Sequence, residues 1–237
     1  MVVGQELCIF QWDNRRNIGP SIHLVRENRH ICHQSHTCSH FFESSNNSKY
    51  PVYWAKIYKV LSFMRQRKAC NIILFLDTDT VIRVNVERIV ERLSSYSMLI
   101  SNDAAMNPWT LGILHKPFNA GAWMVRNNMR GLSILETWMT KFRSRNWIIQ
   151  NNTWSCPGCE WAGPSYEQGA FSHTVLPQYY KYINIVSYKL LNNPGCYRKS
   201  DDYEYAFVCH FMFTDGKANI EKYVHDEIIK KKSVVKT

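Results

Sequence analysis

The sequence predicts an α/β fold, with a central, mostly parallel sheet flanked by helices. Short apolar runs rich in β-formers alternate with longer segments of helical spacing, the pattern of strand-helix-strand units. One run, Ile72 to Leu76, is continuously apolar and too short for a buried helix, as expected of a central strand covered on both faces. It leads directly into Asp77-Thr78-Asp79, at the strand end where open α/β sheets bind their ligands.

Period-two alternation along that strand places Asp77 and Asp79 on one side and Thr78 on the other. Two carboxylates this close repel each other unless a cation or hydrogen-bond donors hold them. The pair is therefore a candidate site for a divalent cation and a phosphorylated ligand. An acid-x-acid tripeptide is common by chance, and a capping role for Asp79 or Thr80 ahead of a helix over 84–93 is the competing explanation. Its place directly after a buried strand favours the metal role.

At 237 residues the chain fits one domain with a substantial core. Hydrophobic and charged contents of 45% and 20% are ordinary for a soluble globular protein, whereas 14% aromatic is high. Aromatic rings line sites for sugars or bases, and they also fill cores. A formal net charge of +10 points to an anionic partner. Part of that excess is the tail residues Lys230, Lys231, Lys232 and Lys236. The rest is dispersed, with no basic helix interleaved with aromatics, so nucleic acid is not the expected partner. No stretch reaches the length of a membrane span, and the N-terminus lacks the pattern of a signal peptide. The chain thus reads as cytoplasmic and soluble, with its 8 cysteines as reduced thiols.

In chain order, Glu6 to Trp12 reads as the first strand, with Arg15 and Arg16 at its exit, and Ser21 to Arg29 as the first crossover helix. His30, Cys32, His33, His36, Cys38 and His40 form the one local cluster that invites zinc, and Cys156-Pro-Gly-Cys159 adds a C-x-x-C. Their spacing spreads them over a helix end and a strand over 37–42, which argues against a shared metal. A helix over 51–66 carries Trp54, Ile57, Leu61 and Met64 on one side. Lys56 lies off that face, near the helix start, where it can lean toward a diphosphate.

A helix over 84–93 and a strand over 97–100 follow, ending in Ser-Asn-Asp103. Residues 104–116 read as a loop, Phe118 to Val125 as a strand, and 132–142 as a helix. Gly121 in that strand allows close backbone approach to a ligand. Residues 147–164 are irregular, and Tyr166 opens a short helix that places Glu167 beside Gln168. A strand over 183–191, an apolar strand containing His210, and a terminal helix through Ile229 complete the chain.

Taken in order, Tyr53-Trp-Ala-Lys-Ile57, Leu76-Asp-Thr-Asp-Thr-Val81, Phe118-Asn-Ala-Gly-Ala-Trp123, Tyr166-Glu-Gln-Gly169, and His210 with Gly216-Lys217 resemble the stations of a GT-A fold glycosyltransferase. The pattern is similar to the galactosyl/xylosyltransferase group and to small soluble enzymes encoded by large algal viruses. The resemblance implies a metal-dependent enzyme moving a sugar from a nucleoside diphosphate donor, UDP in the first instance, to an oligosaccharide or glycoprotein hydroxyl. It implies that Asp77, Asp79 and His210 hold Mn²⁺ or Mg²⁺, with Thr78 between the two acids. Lys217, helped by Lys56, would contact the phosphates. Phe10, Gln11, Trp12 and Arg16 would flank the base, and Asn119, Ala120, Gly121, Glu167 and Gln168 would face the sugars. If the transfer inverts the anomeric configuration, Glu167, and after it Asp103, is the candidate base; if it retains it, Glu167 would orient the sugars or steady an oxocarbenium-like centre. Residues 1–103 would form the nucleotide-sugar half and 104–237 the acceptor half. Two rivals stand beside it. A sugar-nucleotide pyrophosphorylase shares the sheet but has a glycine-rich loop where this chain reads Asp13-Asn-Arg-Arg-Asn17. A zinc-stabilised nucleic-acid-binding module would draw on the His/Cys cluster.

Overall fold

The computed structural model describes residues 6–45, 49–103, 118–151, 153–194, 206–212 and 216–229. The loop expected over 104–116 and the basic tail lie outside the described residues. The chain opens with strand β1 (Glu6–Asp13), helix α1 (Ser21–His33), strand β2 (Cys38–Ser44), helix α2 (Val52–Gln66) and strand β3 (Cys70–Leu76). It continues through β4 (Thr80–Ile82), α3 (Val86–Leu93), β5 (Met98–Asn102), β6 (Phe118–Arg126) and α4 (Met129–Thr140). A hairpin of β7 (Ile148–Gln150) and β8 (Thr153–Ser155) precedes the short helix α5 (Glu167–Ala170), a π-turn and α6 (Leu176–Tyr179). Strand β9 (Ile183–Val186), α7 (Tyr188–Leu191), β10 (Val208–His210) and α8 (Gly216–Tyr223) follow.

Six strands form the main sheet in the order β2-β1-β3-β6-β5-β9. β1 runs parallel to both β2 and β3, and β5 runs parallel to β9. β6 alone runs against its neighbours β3 and β5, so the sheet is mostly parallel, as the sequence predicts. β3 lies at its centre, and its apolar run is buried through Leu76. Alternate residues feed two cores. Phe10, Ile73, Phe75 and Trp123 pack beneath α2, α4 and the stretch after α5. Ile9, Leu74, Leu76 and Met124 pack on the other face with Ile89 and Leu93 of α3 and Leu191 of α7. Each side of a strand therefore has a helical layer to fill, which is why the run needs no polar face.

Some element boundaries move. The strand expected over 183–191 is half strand and half helix, because Ser187 caps α7 by accepting from the Lys189 N–H. α1 extends one turn beyond Arg29.

The cysteines depart from expectation. Cys8–Cys70 joins the neighbouring strands β1 and β3, Cys32–Cys38 ties the end of α1 to the start of β2, and Cys156–Cys159 closes a tight turn. Cys209 is disulfide-bonded as well. The expectation of reduced thiols is thereby corrected; such pairing belongs to oxidising compartments rather than the cytosol. It also removes the rival zinc reading, since the cluster's sulfurs are already spent on each other. No described helix is long and apolar enough to cross a membrane.

Cys8–Cys70 closes a loop of 62 residues in sequence separation. Replacing both cysteines with alanine is expected to lower unfolding free energy by about 4 kcal/mol through loss of loop-closure constraint on the unfolded chain. Denaturant unfolding of parent and double variant, with intact-mass counting of alkylatable thiols under non-reducing denaturing conditions, checks both the size and the pairing.

Candidate active site

β3 ends before the acidic pair, so Asp77 and Asp79 stand on a turn and not on a strand. Strand alternation does not make them converge; the turn does. The Asp77 carbonyl accepts from the Thr80 backbone N–H at 3.2 Å and from the Thr80 hydroxyl at 2.7 Å. The Asp77 N–H donates to the Gly121 carbonyl of β6 at 2.7 Å. β4 then pairs antiparallel with β10, opposing Thr80 to His210. The Phe211 N–H donates to the Asp79 carbonyl, which fixes the second acid against the C-terminal segment.

The result is a compact group. One ligand atom from each of Asp77, Asp79 and His210 lies within 4.8 Å of the others. His210 Nε2 is 3.4 Å from Asp79 Oδ1, while its Nδ1 donates to Asn192 Oδ1 at 3.2 Å. Asn192 is itself fixed, donating to Ser101 Oγ and the Ala122 carbonyl. That arrangement turns Nε2 toward the carboxylates, the orientation in which an imidazole ligates a metal while its other nitrogen is held. Gly121 makes room for the ring: a Cβ there would lie 2.0 Å from His210 Cε1. Two carboxylates and one oriented imidazole suit Mn²⁺ or Mg²⁺, so the residues fit the cation expected for them.

Lys56 reaches the same point from α2. Its Nζ donates to both oxygens of Asp77 at 3.2 and 3.0 Å and to the Ala120 carbonyl at 3.4 Å, and lies 3.6 Å from Glu167. Burial would discharge this lysine, but Asp77 and Glu167 outweigh it and hold its pKa above the ordinary value. Burial raises Asp77, with Asp79 adding to the effect against the pull of Lys56. Asp79 also feels burial, yet His210 overrides it and holds its carboxyl low. His210 is pushed down by burial and held above its ordinary value by Asp79 and Asp77. Glu167 is pushed up to about 7, chiefly by burial and against the pull of Lys56.

Two cavities meet at this cluster, and Tyr53, Lys56, Asp77 and Asp79 line both. One, of about 360 Å³, is completed by Trp12, Asp13, Asn14, Arg15, Val52 and Thr78. There Asp13 is gripped by Arg15 at 2.7 and 2.9 Å and by the Thr78 hydroxyl at 2.6 Å. The other, of about 420 Å³, includes Asp103, Asn119, Trp161, Glu167, Gln168 and His210.

Most expected site residues are thus brought together, but not all in the expected posture. Thr78 turns to Asp13, and Gln168 accepts from the Ala120 N–H at 2.9 Å. Asn119 donates to Asp103 and accepts from the Gly121 N–H. Phe10 does not flank a base, because its ring stacks on Phe63 in the core. Gln11 is buried beneath the turn, donating to the Asp77 carbonyl and accepting from Asn28 and His40. Arg16 and Lys217 are exposed and line neither cavity. Asn28 and Asn192 escaped the sequence reading, and Tyr53, Asp13 and Arg15 were named there without a role of their own in the site. Their roles come from long-range packing, which leaves no local signal.

The whole chain can be set against solved structures. A glycosyltransferase involved in the glycosylation of the major capsid of PBCV-1 matches with a TM-score of 0.67, covering 91% of this chain and 99% of its own, at 14% identity. The fold is GT-A. GlyE of Streptococcus pneumoniae TIGR4 matches this GT-A chain with a TM-score of 0.56 over 98% of it and 64% of its own length, at 10% identity. Galactosyltransferase LgtC, in complex with donor and acceptor sugar analogs, matches with a TM-score of 0.50 over 98% and 100%, at 10% identity. No protein-family model and no curated protein sequence matches the chain.

Within this GT-A site the close approach at Gly121 gives a direct test of geometry. Gly121→Ala is expected to cost about 1–3 kcal/mol of stability, because the rigid imidazole must leave Asn192 or Asp79 to admit the methyl group. Denaturant unfolding measures the loss; a variant as stable as its parent would show that His210 is loosely held.

Proposed function

We propose that the protein is a metal-dependent glycosyltransferase that moves a sugar from a nucleoside diphosphate sugar, UDP-linked in the first instance, to a hydroxyl of a glycan. The observation that carries the reading is the convergence of Asp77, Asp79 and His210 at the seam between two cavities of a GT-A fold. A donor of this kind has a nucleoside at one end, a sugar at the other and a diphosphate between them, matching that division. The glycosylation of a viral capsid and the sugar-analog complex named for the structural neighbours support the same class of reaction. The smaller cavity draws on residues 12–79 only, which supports residues 1–103 as the nucleotide-sugar half and 104–237 as the part completing the acceptor side.

Asp77, Asp79 and His210 would hold Mn²⁺ or Mg²⁺, which when bound supplies electrostatic stabilisation to the departing diphosphate. Lys56 keeps Asp77 in place and limits the repulsion within the acid cluster. In the transfer itself the acceptor oxygen bonds to the anomeric carbon, and the bond from that carbon to the diphosphate oxygen breaks with its electron pair leaving on the nucleoside diphosphate. The hydroxyl proton passes to a base. Glu167, buried in the second cavity with its pKa near neutrality, is poised for that exchange. Asp103, in the same cavity, is the second candidate.

A thermal-shift screen of nucleoside diphosphates with and without Mn²⁺ tests the reading, since a specific ligand raises the melting temperature by mass action. UDP is expected to stabilise only when Mn²⁺ is present, and Asp79→Asn is expected to abolish that increment without altering the metal-free melt by more than a few degrees. UDP stabilisation that is indifferent to EDTA would contradict the metal assignment.

Glu167→Gln is expected to lower kcat by roughly 10²–10⁴-fold while leaving UDP affinity in place. A base must be ionised to act, so kcat in the parent should fall as pH drops through about 7. That limb should disappear in the glutamine variant. Persistence of the limb in Glu167→Gln would assign the ionisation to another group.

A further inference from the structure

The tryptophans of this chain serve two different purposes. Trp54, Trp123 and Trp138 are fully buried in the core. Trp54 and Trp147 both donate their indole N–H to the Ser165 carbonyl, and Trp138 donates to the Glu167 carbonyl. These bonds clamp the segment before α5 from behind. The same segment is closed at its other end by Cys156–Cys159, with the Cys159 N–H donating to the Cys156 carbonyl and the Gly163 N–H to the Glu160 carbonyl. Gly169 packs so closely on it that a Cβ there would lie 2.2 Å from the Gly163 carbonyl oxygen. The segment is a rigid wall.

On that wall Trp161 stands apart. It is 56% exposed although it lines the cavity that contains Asp79, Asn119, Glu167 and Gln168. Its ring is edged by Tyr53 at 5.0 Å and 74° and by Tyr166 at 5.1 Å and 64°, and both tyrosines line the same cavity. A large aromatic surface held rigidly toward water beside a site is the informative kind of exposure. The same cavity is lined by carboxylates and amides suited to hydroxyl groups. A flat apolar platform in one cavity with such groups fits a pyranose or furanose ring, which has an apolar C–H face and a polar rim.

We propose that Trp161 is the stacking platform for the acceptor sugar, with Tyr53 and Tyr166 as its supports. This deepens the glycosyltransferase reading and rests on it. The acceptor arrives from solvent and so meets the exposed ring, whereas the buried end of the cavity, at Glu167 and Lys56, is left to the donor sugar. The acceptor is then a carbohydrate presenting one C–H face, not a serine or threonine hydroxyl of a peptide.

The experiment uses the full chain with Mn²⁺ and UDP, and saturation-transfer NMR with methyl α- and β-glycosides of common hexoses and pentoses as probes. At least one probe is expected to show ring-proton transfer with the parent, lost in Trp161→Ala and kept in Trp161→Phe. In transfer assays with that probe, acceptor KM should rise tenfold or more in Trp161→Ala, with donor KM within twofold of the parent. Melting temperature and the UDP-dependent thermal shift establish that the variant is folded and binds nucleotide. Equal transfer signals and equal acceptor KM in parent and Trp161→Ala would overturn the platform while leaving the glycosyltransferase reading intact. So would a parent that transfers sugar to peptides and to none of the glycosides. Failure of the parent to bind UDP with Mn²⁺ would instead remove the underlying reading, and the platform with it.

Discussion

The site is organised by a buried lysine. Lys56 places its ammonium group against both oxygens of Asp77, within reach of Glu167 and on the carbonyl of Ala120. Without that charge Asp77, Asp79 and Glu167 would crowd the end of one sheet with little to offset their repulsion, and burial would drive protons onto them. With it that repulsion is offset, and burial and the other neighbours then give each acid a different character. Asp79 stays ionised beside His210, Asp77 is shared between lysine and turn, and Glu167 rises toward neutrality. Similar side chains are thus given different proton affinities by their burial and their neighbours, Asp79 held low by His210 and Glu167 raised by burial against the pull of Lys56.

Below the acids, the turn is held by side chains from three elements. Gln11 of β1 donates to the Asp77 carbonyl and accepts from Asn28 of α1 and from His40 of β2. Asn28 also donates to the Thr80 carbonyl and accepts from the Ile82 N–H. Burial holds His40 down at about 4, so its imidazole is neutral at ordinary pH. Its Nδ1 is buried without a partner among the described residues, and Gln11 Oε1 can only accept, so the Nε2–H is the proton that goes to Gln11. This network leaves the backbone of the turn few alternatives, the rigidity that a group able to hold a metal would need because ligand placement sets affinity. β6 adds the last restraint. Running antiparallel to β3, it brings the Gly121 carbonyl onto the Asp77 N–H and leaves a gap in front of Gly121 into which His210 fits.

How much of this was legible depends on whether a feature is local. The buried strand and its terminal acid pair could be read because hydrophobic continuity and position are written in adjacent residues. The order of strands and helices followed from periodicity for the same reason. Gln11 was legible as a site residue but not as a support, because the difference lies in which face of β1 meets the turn. Phe10 was misplaced because it lies on the same face of β1 as Trp12 but two residues deeper in the sheet, where its ring stacks on Phe63 in the core. The Cys8–Cys70 disulfide was missed because its cysteines lie 62 residues apart and only the parallel pairing of β1 with β3 makes them neighbours, whereas Cys32–Cys38 and Cys156–Cys159 are local and were missed because the chain was read as cytosolic. The apolar strand around His210 carries no local sign of chemistry, so its expectation as a metal ligand rested on the resemblance alone, and the side chain is buried. What gives it chemistry is Asn192 behind it and Asp79 in front.

The charge distribution adds a physical reason for a divalent cation. The chain carries a formal net charge of +10, which favours the approach of an anionic donor from a distance. At short range the balance reverses, because the seam of the two cavities presents Asp77 and Asp79 beside Asp13, Glu167 and Asp103. Lys56, Arg15 and His210 are already engaged with these acids. A diphosphate laid across that seam would meet carboxylates with little positive charge left to receive it. A cation between them converts the same carboxylates from a barrier into the anchor for the phosphate oxygens. On the proposed function, the net positive charge would draw the donor in and the acid cluster would make its binding conditional on metal.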